Sequence, residues 1–79
     1  MNVGDVVVVR AYGRKPLRRV VCGWNRRVVH VCRPDLFRDF QSGTGGAVGF
    51  PNDDVFEFSG DLDLSGNLDW DSLTHYARG

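Results

Sequence analysis

Leu17-Arg18-Arg19-Val20-Val21-Cys22-Gly23-Trp24-Asn25-Arg26-Arg27-Val28-Val29-His30-Val31-Cys32 reads as one β-hairpin, and this stretch decides the fold class. Val20, Val21 and Cys22 form the centre of an outgoing strand, Leu17 to Trp24, and Val28 to Cys32 returns beside it. β-Branched side chains are stiff at their first torsion and fit a pleated surface. Asn25-Arg26-Arg27 is the turn, because asparagine tolerates the left-handed backbone that tight hairpins require. The register of the pair is open at this level. A slip of one residue sends every side chain to the other face, so the register decides whether the even-numbered or the odd-numbered arginines point outward. With a two-residue turn, Cys22 and Cys32 fall on opposite faces and cannot bond, which makes buried thiols the expectation.

On the N-terminal side, Gly4-Asp5 leads into Val6-Val7-Val8-Val9, a strand expected over Asp5 to Ala11 and ended by Tyr12-Gly13 with Pro16 beyond. On the C-terminal side, Pro34 is tolerated at the first position of a helix, where its missing N–H is no loss. Asp35 suits a helix N-terminus, Leu36, Phe37 and Phe40 share a helical face, and Gly43 can stop the helix. A short helical insert is therefore expected at about residues 34–42. A glycine-rich loop, Gln41 to Gly46, precedes a fourth strand, Ala47 to Phe50, closed by Pro51-Asn52. Asp53-Asp54 starts a tight turn, and Val55 to Ser59 is a fifth strand with Phe56 and Phe58 on one face. Five short strands and tight turns suit a small, partly closed barrel, since closure removes exposed edges.

Residues 60–79 differ in kind. Gly, Ser and Asp dominate, yet Leu62, Leu64, Leu68, Trp70, Leu73 and Tyr76 interrupt them, and a disordered tail would lack that apolar series. The expected layout is mainly β: a five-stranded SH3-like barrel over residues 1–59, and an acidic C-terminal extension over residues 60–79, with a short helix near Asp71 to Ala77, packed on the barrel.

The bulk properties agree with one small folded domain. The chain has 79 residues, 42% hydrophobic and 25% charged, near ordinary globular values. A domain this short buries only about 60% of its unfolded surface, so a partner or a second copy is a natural way to complete it. There is no apolar run of the roughly 18 residues that a membrane span needs, and Met1-Asn2-Val3-Gly4-Asp5 does not resemble a signal peptide. A cytoplasmic location with reduced Cys22 and Cys32 is expected.

The opening Gly4-Asp5-Val6-Val7-Val8-Val9-Arg10-Ala11-Tyr12-Gly13 resembles the start of KOW-type and related SH3-like barrels. Gly49-Phe50-Pro51 and Asp54-Val55-Phe56 look like their last strands. The likeness covers roughly residues 3–59 and implies the fold alone. Two departures stand out: Leu17-Arg18-Arg19 occupies the stretch where KOW motifs carry a second glycine, and the insert from Pro34 to Phe40 is atypical. The layout also resembles small bacterial proteins.

Charge supplies the functional expectation. Ten basic residues balance ten acidic ones, but residues 1–40 hold nine basic against three acidic, while residues 41–79 hold Arg78 against seven acids. The first half is net +6 and the second net −6. Arg14, Lys15, Arg18, Arg19, Arg26 and Arg27 belong to the hairpin and the loop entering it, with Tyr12 and Trp24 nearby. Arginine and tryptophan are enriched at the energetic centres of interfaces, so these residues are the expected contacts of a non-enzymatic binding module with a protein partner. Ordinary packing is the competing role for Trp24. Guanidinium groups also pair with phosphates and aromatics stack on bases, which makes a nucleic-acid face the alternative. In that case Asp61, Asp63, Asp69 and Asp71 of the extension would screen the basic face. A third expectation is a structural homo-oligomer, monomer and homodimer both remaining open, with no membrane association.

Other constellations point less far. Asp61, Asp63, Ser65, Gly66, Leu68 and Asp69 follow part of a calcium-loop pattern, but Ser72 stands where a bidentate Glu belongs and no helix precedes the loop. Cys22, His30, Cys32 and His75 match no zinc spacing. Gly43-Thr44-Gly45-Gly46 lacks the Lys-Ser/Thr ending of a phosphate loop. No general acid–base pair can be named, so neither a catalytic residue, a metal nor a cofactor is expected.

Overall fold

The computed structural model describes residues 1–78, the side chain of Arg78 excepted. The dense valine runs become β1 (Val6–Val9), β2 (Leu17–Trp24) and β3 (Val28–Cys32), and two shorter strands follow, β4 (Val48–Pro51) and β5 (Val55–Glu57). All pair antiparallel in one sheet of order β4-β3-β2-β1-β5. β2 and β3 have the bounds their sequence implies. β5 stops earlier than expected, at Glu57.

The hairpin turn is of the two-residue kind. The Asn25 N–H donates to the Val28 carbonyl at 3.0 Å, and Asn25 Oδ1 accepts from the N–H groups of Arg27 and Val28 at 2.9 and 3.0 Å. Trp24 then faces Val29 and Gly23 faces His30, but Val21 faces Val31 and Val20 faces Cys32. Cys22 is the extra residue of a β-bulge. A bulge shifts the register by one, and a shift of one reverses which face is shared. Cys22 and Cys32 therefore lie on the same face, with sulfurs 3.1 Å apart. This corrects the expectation of opposite faces, which held only for an unbroken ladder. Both are free, buried thiols. Burial, together with the contact to Cys32, pushes the Cys22 thiol up to about 12.

The sheet has apolar residues on both faces. On one, Val7, Val9, Val21, Val29, Val31 and Val55 pack with Tyr76, joined by Leu17 and Phe50. On the other, Val20, Cys22 and Cys32 lie under Phe37 and Phe40. Those two phenylalanines come from the helical insert, a 3-10 turn at Pro34–Leu36 that runs into α1 (Phe37–Gln41). Gly43 ends it in the left-handed region at φ 83°, donating to the Phe40 carbonyl at 3.1 Å.

The C-terminal extension docks as expected but in a different conformation. The expected helix over Asp71 to Ala77 is replaced by two 3-10 turns, Trp70–Ser72 and Tyr76–Arg78, with an extended link between them. The reason is pairing. Glu57 N–H donates to the Thr74 carbonyl at 2.8 Å, and His75 bridges to Phe56, which demands extended backbone there. Tyr76 then enters the valine core, while Trp70 and His75 lie against the Phe56 ring at centroid distances of 5.1 and 4.6 Å.

The expected partly closed barrel is corrected to an open sheet. No ladder joins β4 to β5 among the described residues, and the sheet stays open. Residues 74–75 occupy the free side of the short β5 instead. No helix among the described residues is long and apolar enough to cross a membrane.

Candidate binding cleft

The register against β1 decides where the first arginines go: Arg19 pairs with Val7 of the valine core and Arg18 with Val8. Arg18 is exposed, its guanidinium 5.5 Å from the centroid of the Phe58 ring. Arg19, one residue on, points to the valine-core face and is half-buried there. It enters the open end of that face, where the ladder ends and the sheet leaves a cleft of about 350 Å³.

The floor of the cleft is apolar: Leu17 from β2, Val31 from β3, and Val48 and Phe50 from β4. Val31 pairs with Val48 and Val29 with Phe50, so both β4 side chains share the face of Val29 and Val31. Leu36 adds a further apolar wall, and both Leu36 (42% exposed) and Val48 (62% exposed) are open to solvent. The rim is basic: Arg14 from the loop after β1, Arg19 from β2 and Arg33 from the end of β3. Arg33 is held by Asp35 through two hydrogen bonds of 3.1 and 2.9 Å. Arg19 Nη1 donates to the Arg18 carbonyl at 2.7 Å. Burial lowers the Arg19 pKa, and its neighbours Arg33 and Arg14 lower it further by like-charge repulsion. The cleft is thus a place where positive charge is crowded.

The loop between α1 and β4 is shaped to leave the cleft open. The N–H groups of Thr44 and Gly45 both donate to the Asp39 carbonyl, at 2.9 and 3.1 Å, folding the chain back on α1. A Cβ at Gly45 would meet the Phe40 backbone nitrogen at 2.9 Å, so only glycine fits without a shift. Gly46 follows as part of the cleft wall.

The six hairpin cations do not form one patch. Arg14, Lys15, Arg18 and Arg19 belong to the start of β2, and Arg26 and Arg27 to the turn at its far end. The eight residues of β2 span about 25 Å at roughly 3.3 Å each. Arg14 and Arg19 reach the cleft, whereas Lys15 and Arg18 lie outside its lining. Arg26 and Arg27 instead flank a separate depression with Pro51, Asn52 and Asp53, where the Asn52 side chain donates to the Arg26 carbonyl at 2.8 Å. Trp24, 40% exposed, ends β2 at that far end. Sequence reasoning missed Arg33, Val48 and Phe50, whose place in the cleft depends on strand order and register.

Asp61, Asp63, Asp69 and Asp71 of the acidic extension form no ion pair with these arginines among the described residues. Among the described residues the ion pairs are Arg10 with Asp54 at 3.2 Å and Arg33 with Asp35 at 2.9 Å. Asp63 accepts instead from the backbone N–H and hydroxyl of Ser65, at 2.9 and 2.6 Å, which holds its carboxyl below the usual range. No group of three or more His, Cys, Asp or Glu suited to a metal occurs among the described residues. His75 lies over Phe56, with Nε2 3.2 Å from the Asp53 carbonyl oxygen, rather than with the two cysteines. No protein-family model, no curated protein and no solved structure matches this chain.

Proposed function

We propose that this protein is a non-enzymatic binding module that takes an acidic segment of a protein partner, with the Arg14–Arg19–Arg33 cleft as its recognition surface. The observation that carries the reading is the pairing of an open apolar floor with a basic rim. A ligand that fits both has an apolar side chain for Leu17, Val31 and Phe50 and a carboxylate for the guanidinium groups. An SH3-like fold belongs to the same reading. Its support is that Gly49-Phe50-Pro51 falls on β4 and Val55-Phe56 on β5, as the sequence resemblance implies. A cytoplasmic location completes it, supported by the sparse cysteine content.

The test is fluorescence anisotropy with the full chain. One pool holds short peptides rich in glutamate and valine, a second has lysine in place of glutamate, and a third holds mixed-sequence single-stranded RNA and DNA. The acidic pool is expected to bind, with a loss of about tenfold or more on Arg19→Gln, the order of one charge-assisted contact. Binding by nucleic acid and not by the acidic pool would replace the protein reading with the nucleic-acid one.

A further inference from the structure

The cleft runs along a free sheet edge. β4 pairs with β3 on one side, and among the described residues no strand pairs with it on the other. Among the described residues its backbone groups on that side make none of the turn and loop hydrogen bonds that serve the rest of the chain. Val48, Gly49 and Pro51 are exposed and Phe50 is half-buried. Such an edge is a template for one more strand. Natural proteins guard an open edge with shortness, proline, charges or a covering segment; β4 is short and ends in Pro51, but Val48-Gly49-Phe50 carries no charge and leaves two amides ahead of the proline beside the cleft. Glycine at 49 leaves room for the His30 ring, which a Cβ would approach to 3.3 Å on the face away from the cleft.

Resting on the function proposed above, we infer that the partner segment binds as an added β-strand along β4, its cleft-facing side chains being an apolar residue beside Phe50 and an acidic residue two positions away. The spacing follows from the strand period of two: only every second side chain faces the cleft. Direction follows from the levels of the strands. Phe50 lies level with Val29 in the core, while Val48 lies level with Val31, towards Gly46 and the rim arginines. An apolar side chain belongs at the first level and a carboxylate at the second, from which it extends towards Arg14 and Arg19. Charge complementarity selects the occupant: Arg14 and Arg19 make no ion pair among the described residues, so the rim would repel a second β4 edge bringing its own arginines, and an acidic strand relieves that repulsion. Backbone hydrogen bonds then supply affinity and the two side chains specificity.

The test uses the full chain and a fluorescein-labelled six-residue peptide of serine and threonine carrying valine and glutamate two residues apart. Two derivatives are N-methylated, one at the odd-numbered amides and one at the even-numbered amides. In an added strand, alternate N–H groups face β4, so one derivative should lose at least tenfold in affinity while the other stays within about twofold. Hydrogen exchange at the β4 amides should also slow at saturation. Tight binding by both derivatives with loss on Arg19→Gln would overturn strand addition and leave the acidic-segment reading standing. Failure of the parent peptide and of the acidic pool would overturn both. Dimerisation through β4 without peptide, read by light scattering and by slowed exchange at its amides, would assign the edge to a second copy and overturn the inference.

Discussion

The two edges of this sheet are treated in opposite ways. At β5 the chain returns: Thr74 accepts from Glu57, His75 bridges to Phe56, and Tyr76 fills the valine core behind them. At β4 nothing returns, and Val48 stands 62% exposed above a cleft rimmed by arginine. Both strands are short and both carry large apolar residues, so strand chemistry does not explain the contrast. What differs is the material beside them. The apolar residues of the extension cover one edge, and the glycine loop before β4 is folded back on α1, away from the other. A sheet this small needs one edge sealed to complete its core, and under the proposed function the second edge is the one that takes the ligand.

The largest effect should come from unsealing β5. Tyr76→Ala removes a buried ring from the valine core, and a loss of about 3–5 kcal/mol is expected, as for other large aromatic truncations. Urea denaturation followed by circular dichroism measures it. A chain ending at Ser59 should lose cooperative unfolding altogether. If it melts as sharply as the full chain, the extension is not part of the core and the contrast between the edges fails.

The seal also has a pH signature. The Tyr76 hydroxyl donates to Asp5 Oδ2 at 2.7 Å, and the Asn2 N–H donates to the same oxygen at 2.9 Å. These bonds hold the Asp5 carboxyl below its usual value of 3.8. A depressed carboxyl contributes stability that is complete above the unfolded value and is lost as pH falls through the folded one. Burial and the bond to Asp5 push Tyr76 up to about 12 from its usual 10.0. That contribution is complete below pH 10 and is lost as pH rises towards 12. Stability against pH should therefore fall on both sides of a plateau, and Tyr76→Phe should flatten both limbs. Thermal melts from pH 3 to pH 11 compare the two proteins. Limbs unchanged by the substitution would mean that the hydroxyl does not titrate with folding.

The smallest effect belongs to β4. Val48→Thr keeps the β-branched shape and alters only an exposed side chain, so a change within about 0.5 kcal/mol is expected. A loss of more than about 1 kcal/mol in the same urea measurement would show that this edge is packed in solution. The comparison of edges would then have to be redrawn.

Much of this architecture was legible in the residues. The valine runs marked β1, β2 and β3, Asn25-Arg26-Arg27 marked the place of the turn though not its length, and Pro34 with Leu36, Phe37 and Phe40 marked the helical insert. These are local signals, carried by torsional preference and by the period of apolar positions. The site was legible only in part. Arg14 and Arg19 belonged to the expected basic set, but Arg26 and Arg27 went to the opposite end of the hairpin. Arg33, Val48 and Phe50 joined the cleft without any pattern in their own neighbourhoods.

The sequence by itself determined the β class, the paired strands of the hairpin, the insert and the apolar character of the extension, because each follows from backbone preference within a few residues. The tertiary structure decided the bulge at Cys22, which brings the two thiols onto one face, and the register against β1, which pairs Arg19 with the core residue Val7. It also decided that the extension lies extended on β5 rather than helical, and that β4 stays open. Those outcomes depend on which distant surface wins the contact. A one-residue shift of register or an edge hydrogen bond is chosen by packing across the whole sheet, and no local preference is large enough to choose it.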